Sequence, residues 1–551
     1  DIKWIVILVI VAFLLIFEVF PLFYLLIKSL FSGGSFSWEA YRRVYTYDLN
    51  WIALKNTMIT AGFTTIFGVA LAFPLAFLVG RTDMYGKKFF RTLFVVTYMV
   101  PPYVGAMAWL RLLNPNAGVL NRFLMKIFGL GTAPFNIYTT SGIVWVLTCF
   151  FYPYAFITIS RAMEKMDPSL EEASRISGAS PLKTLLKVTI PMMTPSIIAA
   201  GLLVFVASAS AYGIPSIIGA PGQIYTVTMR IIDFVHIGSE EGLTDAMTLA
   251  VFLMLISNII LYISTFVVGR KQYITMSGKS TRPNIVELGK WRLPITIIIS
   301  IFSFFVIILP FITVAITSFT VNMGKPLTLS NLSLKAWEKV FSRASIISST
   351  TNSFLTATAA AFFGILISCV MAYLLQRTNV KGKRIPDFLI TLGSGTPSVT
   401  IALALIISMS GKFGINIYNT LTIMVVAYMI KYMLMGMRTV VSAMSQVHPS
   451  LEEAAQISGA NWLRMLKNVT LPLIGASIVA GIFLIFMPSF YELTMSTLLY
   501  SSNTKTIGYE LYIYQTYHSQ QVASALATAI LLFVILVNYI LNKLTKGQFS
   551  I

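Results

Sequence analysis

The chain has 551 residues, of which 56% are hydrophobic and 11% charged, with a formal net charge of +20. A soluble protein of this length needs far more charge to cover its surface. An ordinary cytosolic enzyme, a disulfide-stapled secreted domain and a disordered scaffold are therefore excluded.

Apolar blocks long enough to cross a hydrocarbon core of about 30 Å recur along the chain. They predict twelve spans, at 4–31, 56–79, 89–113, 141–160, 189–218, 244–268, 294–319, 352–376, 386–410, 420–443, 471–499 and 522–543. The first block is too long for a signal peptide and has no small-residue cleavage site, so it reads as a membrane anchor. Assigned to the alternating loops, 22 of the 40 Lys and Arg fall on the amino-terminal side and 12 on the other, with Lys28, Arg91, Arg111, Lys431, Arg438 and Lys543 inside spans. The acidic residues divide 9 against 7, with Glu18, Asp245, Asp387 and Glu492 inside spans. This bias orients the chain with both termini in the cytoplasm. The basic balance is thus topological, with a minor attraction to anionic membrane lipids, and nucleic acid is not an expected partner.

Cys149 and Cys369 lie inside spans and far apart, and His236, His448 and His518 sit in separate loops. Neither set has the spacing of a disulfide framework or a metal site. The stretch Gly269–Arg292 is polar and basic and reads as a linker. Its Ser277-Gly-Lys-Ser-Thr281 imitates the end of a phosphate loop, but Tyr273 stands where the leading glycine belongs and no strand precedes it.

Two blocks repeat. Asn56 to Lys88, containing Gly-Arg-Thr-Asp, matches Asn352 to Arg384, containing Gln-Arg-Thr-Asn, at an offset of 296. Pro168-Ser-Leu-Glu-Glu-Ala-Ser-Arg-Ile-Ser-Gly-Ala recurs as Pro449-Ser-Leu-Glu-Glu-Ala-Ala-Gln-Ile-Ser-Gly-Ala, at an offset of 281, and continues through Val188-Thr-Ile-Pro191 and Val469-Thr-Leu-Pro472. The offsets differ because the external loop Asn114–Thr140 is longer than Gly411–Thr420. The expected architecture is all-α and polytopic, with a first transmembrane half at 1–268, a linker at 269–292 and a second half at 293–551. Six spans per half make the two halves parallel repeats about an axis along the membrane normal.

The repeated loop predicts a short helix, a glycine turn and a second helix. Pro168 and Pro449 suit a first helical turn, and the pairs Glu171-Glu172 and Glu452-Glu453 suit its positive end. Ile176 and Ile457 extend an apolar face begun by Leu170 and Leu451. Gly178 and Gly459 then supply a positive φ, and Ser180 and Asn461 cap the next helix. The arrangement suits a docking knob that is continuous with the following span.

Here the sequence resembles the permease subunits of ABC importers of the type I transmembrane fold, whose "EAA" signature has this form. Two copies in one chain resemble the fused permeases, of which the ferric-iron uptake type is one and the thiamine type another. The resemblance implies that Glu171, Glu172, Ala173, Gly178, Glu452, Glu453, Ala454 and Gly459 form two coupling helices seated on ATPase subunits. It also implies two ATPase copies that carry ATP and Mg, and a periplasmic or lipid-anchored substrate-binding protein. No Walker motif is read in the sequence, so this chain is expected to bind no cofactor and to act as a transport subunit rather than an enzyme.

In type I permeases the fifth and eleventh spans line the central path. That makes Ser210, Tyr212, Tyr491 and Glu492 candidates for cargo contact, and Tyr212-Gly-Ile-Pro-Ser-Ile-Ile-Gly219 resembles the corresponding segment of iron-type permeases. Phenol and carboxylate oxygens suit a hard cation such as ferric iron. Lys431, opposite Phe150 in the repeat, is either a path residue or a cation satisfied within the bundle. Glu18 and Glu492 carry the same two readings. The competing substrates are thiamine, a polyamine or a phosphonate. A secondary transporter driven by an ion gradient is the more distant alternative, and it leaves the duplicated loop unexplained.

Overall fold

The computed structural model describes residues 2–32, 34–164, 166, 169–270, 285–322, 325 and 328–544. Among the described residues, ten helices are long and apolar enough to cross a membrane: Trp4–Lys28, Asp48–Arg81, Thr140–Glu164, Pro181–Ala209, Glu240–Ser264, Gly289–Thr317, Ala344–Arg377, Leu421–Gln446, Leu466–Phe490 and Gln520–Leu541.

The expected third and ninth spans are not straight. Lys87–Met99 and Pro102–Leu113 meet at 104°, and Arg384–Gly395 and Ser398–Ser408 at 107°. Proline drives both bends, because its ring excludes the helical conformation from the residue before it. Val100 accordingly turns to ψ 133° before Pro101, and Thr396 to ψ 135° before Pro397. Apolar periodicity runs through such a break without a gap, so the sequence reads it as one rod.

Each bent pair nonetheless runs the full height of its neighbour. Arg91, near the start of the first pair, is ion-paired with Glu164 at one end of Thr140–Glu164. Asn114, just past its end, donates to the Tyr138 hydroxyl at the other (2.8 Å). In the second pair Asp387 meets Arg438 (3.0 Å) towards the far end of Leu421–Gln446. The carbonyl of Met409 accepts from the N–H of Tyr418 (3.3 Å), just before that helix begins. Each pair is therefore a broken span and not a re-entrant loop, which makes twelve spans among the described residues.

The spans form two compact units, residues 1–50, 230–255 and 334–550 in one and residues 51–229 and 256–333 in the other. These are not the repeat halves. The first span packs in the unit built mainly from the second repeat, where Ile7, Ile10 and Leu14 meet Leu389, Ile390, Met433 and Met437. The seventh span, Gly289–Thr317, packs in the unit built mainly from the first repeat, with Phe311 against Phe150 at a centroid distance of 6.2 Å. An apolar helix sorts into a bundle by the shape of the face it meets, and repeat matching is blind to that.

Four π-helical turns, Leu15–Val19, Leu185–Thr189, Phe304–Ile308 and Leu466–Thr470, occupy equivalent places in the two repeats. Each ends two residues before a proline: Pro21, Pro191, Pro310 and Pro472. A proline has no N–H for the carbonyl four residues back, and widening the turn is the local remedy. Most of the linker, 271–284, lies outside the described residues, and the phosphate-loop imitation falls within it. The linker's end is tethered: Val286 donates to the Arg81 carbonyl (2.8 Å), and Leu288 donates to Asp83 (2.9 Å).

Candidate coupling site and translocation path

The repeated loop folds as expected in both copies, into surface helices Ser169–Ile176 and Ser450–Ile457. Pro168 lies outside the described residues. Pro449 immediately precedes its helix and its carbonyl accepts from Glu452 (3.0 Å) and Glu453 (3.1 Å). Gly178 and Gly459 adopt φ of 82° and 84°. Just beyond, Ala179 donates to the Ser174 carbonyl (3.1 Å) and Ala460 to that of Ala455 (3.0 Å), the six-to-one closure that such a glycine permits. Ser180 accepts from Lys183 (3.3 Å) and Asn461 from Arg464 (2.9 Å), so both act as N-caps of the next helix.

The two glutamates of each pair face opposite ways. Glu172 and Glu453 are exposed, whereas Glu171 and Glu452 are each only 6% exposed. Glu171 is ion-paired with Arg81, the last residue of the long helix Asp48–Arg81, and accepts from Thr189 (2.6 Å). Glu452 accepts from Arg377 Nε (3.1 Å), the last residue of Ala344–Arg377, and from Thr470 (3.0 Å). Arg377 also donates to the carbonyls of Met444 (3.2 Å) and Val447 (2.6 Å), closing the end of the tenth span. The same Arg–Glu–Thr anchor thus occurs twice, joining the surface helix to the end of one span and the π-turn of another.

A buried carboxylate tolerates low polarity only when paired and hydrogen-bonded, and both anchors meet that condition. Sequence reasoning missed Arg81, Arg377, Thr189 and Thr470. All four lie inside the repeated blocks, in Gly-Arg-Thr-Asp, Gln-Arg-Thr-Asn, Val-Thr-Ile-Pro and Val-Thr-Leu-Pro, so their recurrence was the available signal.

The opposite face of each surface helix is open. Ile176 and Ile457 are both 87% exposed, and Leu170, Leu451, Ala173 and Ala454 are exposed as well. A Cβ added at Gly178 or Gly459 would meet nothing within 4 Å.

The path candidates lie where the fifth and eleventh spans end. Ser210 closes the helix Ile190–Ala209; its hydroxyl is buried and makes no hydrogen bond within the described residues, and Tyr212 is buried two residues on. The eleventh helix stops at Phe490 rather than running to 499, and a separate short helix, Thr494–Leu499, follows. Tyr491 and Glu492 occupy the turn between them, both buried. Glu492 accepts from the N–H groups of Met495 (2.8 Å) and Ser496 (3.1 Å). Lys431 donates to the carbonyls of Ser394 (2.9 Å) and Thr396 (2.8 Å), at the break of the ninth span. Lys431 and Glu492 lie within electrostatic reach of one another. Glu18 is buried against Gly393, and neither of its carboxylate oxygens has a hydrogen-bond partner among the described residues. Also among the described residues, no group of three His, Cys, Asp or Glu side chains is placed to hold a metal ion.

Residues 72–272 and 364–547 each match the family described as the binding-protein-dependent transport system inner membrane component. The chain is similar to the ferric transport system permease protein FbpB of Actinobacillus pleuropneumoniae, at 25% identity over 97% of this chain and 76% of that one. It is also similar to the Fe(3+)-transport system permease protein FbpB 2 of Haemophilus influenzae, at 25% identity over 95% of each chain. A crystal structure of a bacterial ABC transporter involved in the import of the acidic polysaccharide alginate matches 49% of this chain and 95% of that one, at 17% identity and a TM-score of 0.40. With the family match present twice, on the two repeats that carry the anchored surface helices, the chain belongs to the binding-protein-dependent inner membrane transport components and is the fused, two-copy permease subunit of an ABC importer.

Proposed function

We propose that the chain carries ferric iron across the inner membrane, driven by two ATPase subunits, one on each surface helix. The observation that carries this reading is the duplicated helix with one carboxylate locked inward and an isoleucine turned out. A helix that only connected two spans gains nothing from keeping both features in both copies. The binding protein that the family depends on delivers cargo from outside, and both termini lie in the cytoplasm, as the basic bias orients them. With twelve spans the two helices then face that same side. ATP and Mg belong to the partner subunits, and this chain's part is mechanical.

The mechanics follow from the anchors. A push on Ser450–Ile457 reaches the end of the eighth span through Glu452 and Arg377, and the eleventh span through Thr470. In the other unit Glu171 passes it to the second span through Arg81 and to the fifth through Thr189. The movement arrives where the fifth and eleventh spans carry Ser210, Tyr212, Tyr491 and Glu492. Ferric iron is favoured over thiamine, a polyamine or a phosphonate by the likeness to ferric permeases along almost the whole chain. An ion-gradient transporter leaves the anchored helices without a use.

The test is ATP-dependent uptake of radioactive ferric iron into proteoliposomes holding this chain, its ATPase and its binding protein. Uptake that ignores ATP, or a co-encoded binding protein that carries one of the competing substrates, refutes the corresponding part of the proposal.

A further inference from the structure

The break in the ninth span strips two carbonyls of helical partners. In an unbroken helix the Ser394 carbonyl would accept from residue 398 and the Thr396 carbonyl from residue 400. Here the N–H of Thr400 bonds to the Pro397 carbonyl instead (3.0 Å). Such orphans are expensive at membrane depth, and Lys431 Nζ takes both of them. At the turn after the eleventh span the mirror situation holds, where Glu492 accepts the first-turn N–H groups of Met495 and Ser496. A cation sits on the carbonyl end of one broken helix and an anion on the N–H end of another, each at its favourable pole. The two groups interact electrostatically, and one turn before Lys431 the Tyr428 hydroxyl bonds to Ser496 (2.8 Å), in the short helix whose N–H groups Glu492 accepts.

The other unit solves the same problem without charge. By the repeat offset of 281, Lys431 corresponds to Phe150, Glu492 to Ala211, Tyr428 to Leu147 and Ser496 to Pro215. The Phe150 ring fills the break of the third span, so close to Gly105 that a Cβ there would overlap it, and packs on Phe311.

We propose that Lys431 and Glu492 are positioning residues forming an intramembrane bracket, which fixes the break of the ninth span to the turn that ends the eleventh. The broken span is held by charge in one unit and by aromatic packing in the other, so the two repeats do unequal work. This rests on the permease reading above, and it assigns the two residues to backbone atoms rather than to cargo.

The test uses the full chain in its reconstituted complex, with uptake and backbone hydrogen exchange as separate readouts. K431M and E492Q each lower uptake about tenfold, and the double variant is no worse than either, because members of one network are not additive. Exchange quickens at residues 495–500 and 398–401 in both single variants. K431R, which still reaches two carbonyls, restores uptake and protection. The charge exchange K431E/E492K falls below the neutral double variant, since it sets a carboxylate on carbonyls and an ammonium on N–H groups. Single losses that multiply, or lost uptake with unchanged exchange, overturn the bracket and return both residues to cargo contact. Exchange is measured on the chain without ATP, so a wild-type complex that fails to import iron counts against the transport reading and leaves the bracket standing.

Discussion

Removing Glu452 should damage the isolated permease, whereas removing its neighbour Glu453 should not. In E452A the Arg377 guanidinium stays buried, keeping its bonds to the Met444 and Val447 carbonyls but losing its counter-charge. Breaking a buried pair from one side costs about 3–5 kcal/mol. The surviving carbonyl bonds put this case at the lower end, near 3 kcal/mol, or about a hundredfold in the occupancy of the anchored position. Glu453 is exposed and its truncation falls within about 0.5 kcal/mol, as surface changes do. The assay is thermal unfolding of the purified chain in detergent, followed by capture of the ATPase subunit. E452A should lower the melting temperature and weaken capture, and E453A should affect capture alone. R377M/E452L, which removes both charges, should recover most of the stability that E452A loses. Equal melting temperatures for E452A and E453A would refute the anchor, as would a double variant as unstable as the sum of its single changes.

Three further outcomes follow from the same geometry. I176E and I457E should leave the chain as stable as wild type, because both side chains are 87% exposed, while each weakens ATPase capture by about 2 kcal/mol, the burial value of an isoleucine; unchanged capture by the double variant would exclude these faces as the dock. G178L and G459L meet open space but a positive φ, so each should cost the isolated chain only about 1–2 kcal/mol of backbone strain, read by thermal unfolding, while ATPase capture is lost. G105A drives a Cβ into the Phe150 ring and should destabilise by about 1–3 kcal/mol, and the compensating F150L should restore much of that in the same melting assay.

How much of this was legible depended on the length scale of the signal. Spans, surface helices, glycine turns and caps are written in short windows of residues, and Gly178, Gly459, Ser180 and Asn461 all behave as their types demand. The breaks at Pro101 and Pro397 were hidden because the apolar run that marks a span continues through them, while the backbone responds to one ring. The division of labour within each glutamate pair was hidden for a different reason. Glu171 and Glu172 are chemically identical, and only an arginine 90 residues away in the chain decides which turns inward. Such a partner is found in sequence only by asking what else repeats, and Arg81 and Arg377 do.

The same comparison between repeats also shows where equivalence ends. The two anchors hold the same residue types in the same roles. At the ends of the fifth and eleventh spans, and within the fourth and tenth, the correspondence fails, with Ala211 against Glu492 and Phe150 against Lys431. Under the proposed function, two ATPase subunits of one kind require the two surface helices to match, whereas no such demand falls on the ends of the fifth and eleventh spans. Symmetry is kept at the anchors and relaxed at those ends. That division is what a fused chain permits and a homodimeric permease cannot reach, since any change to one half of a homodimer is made in both.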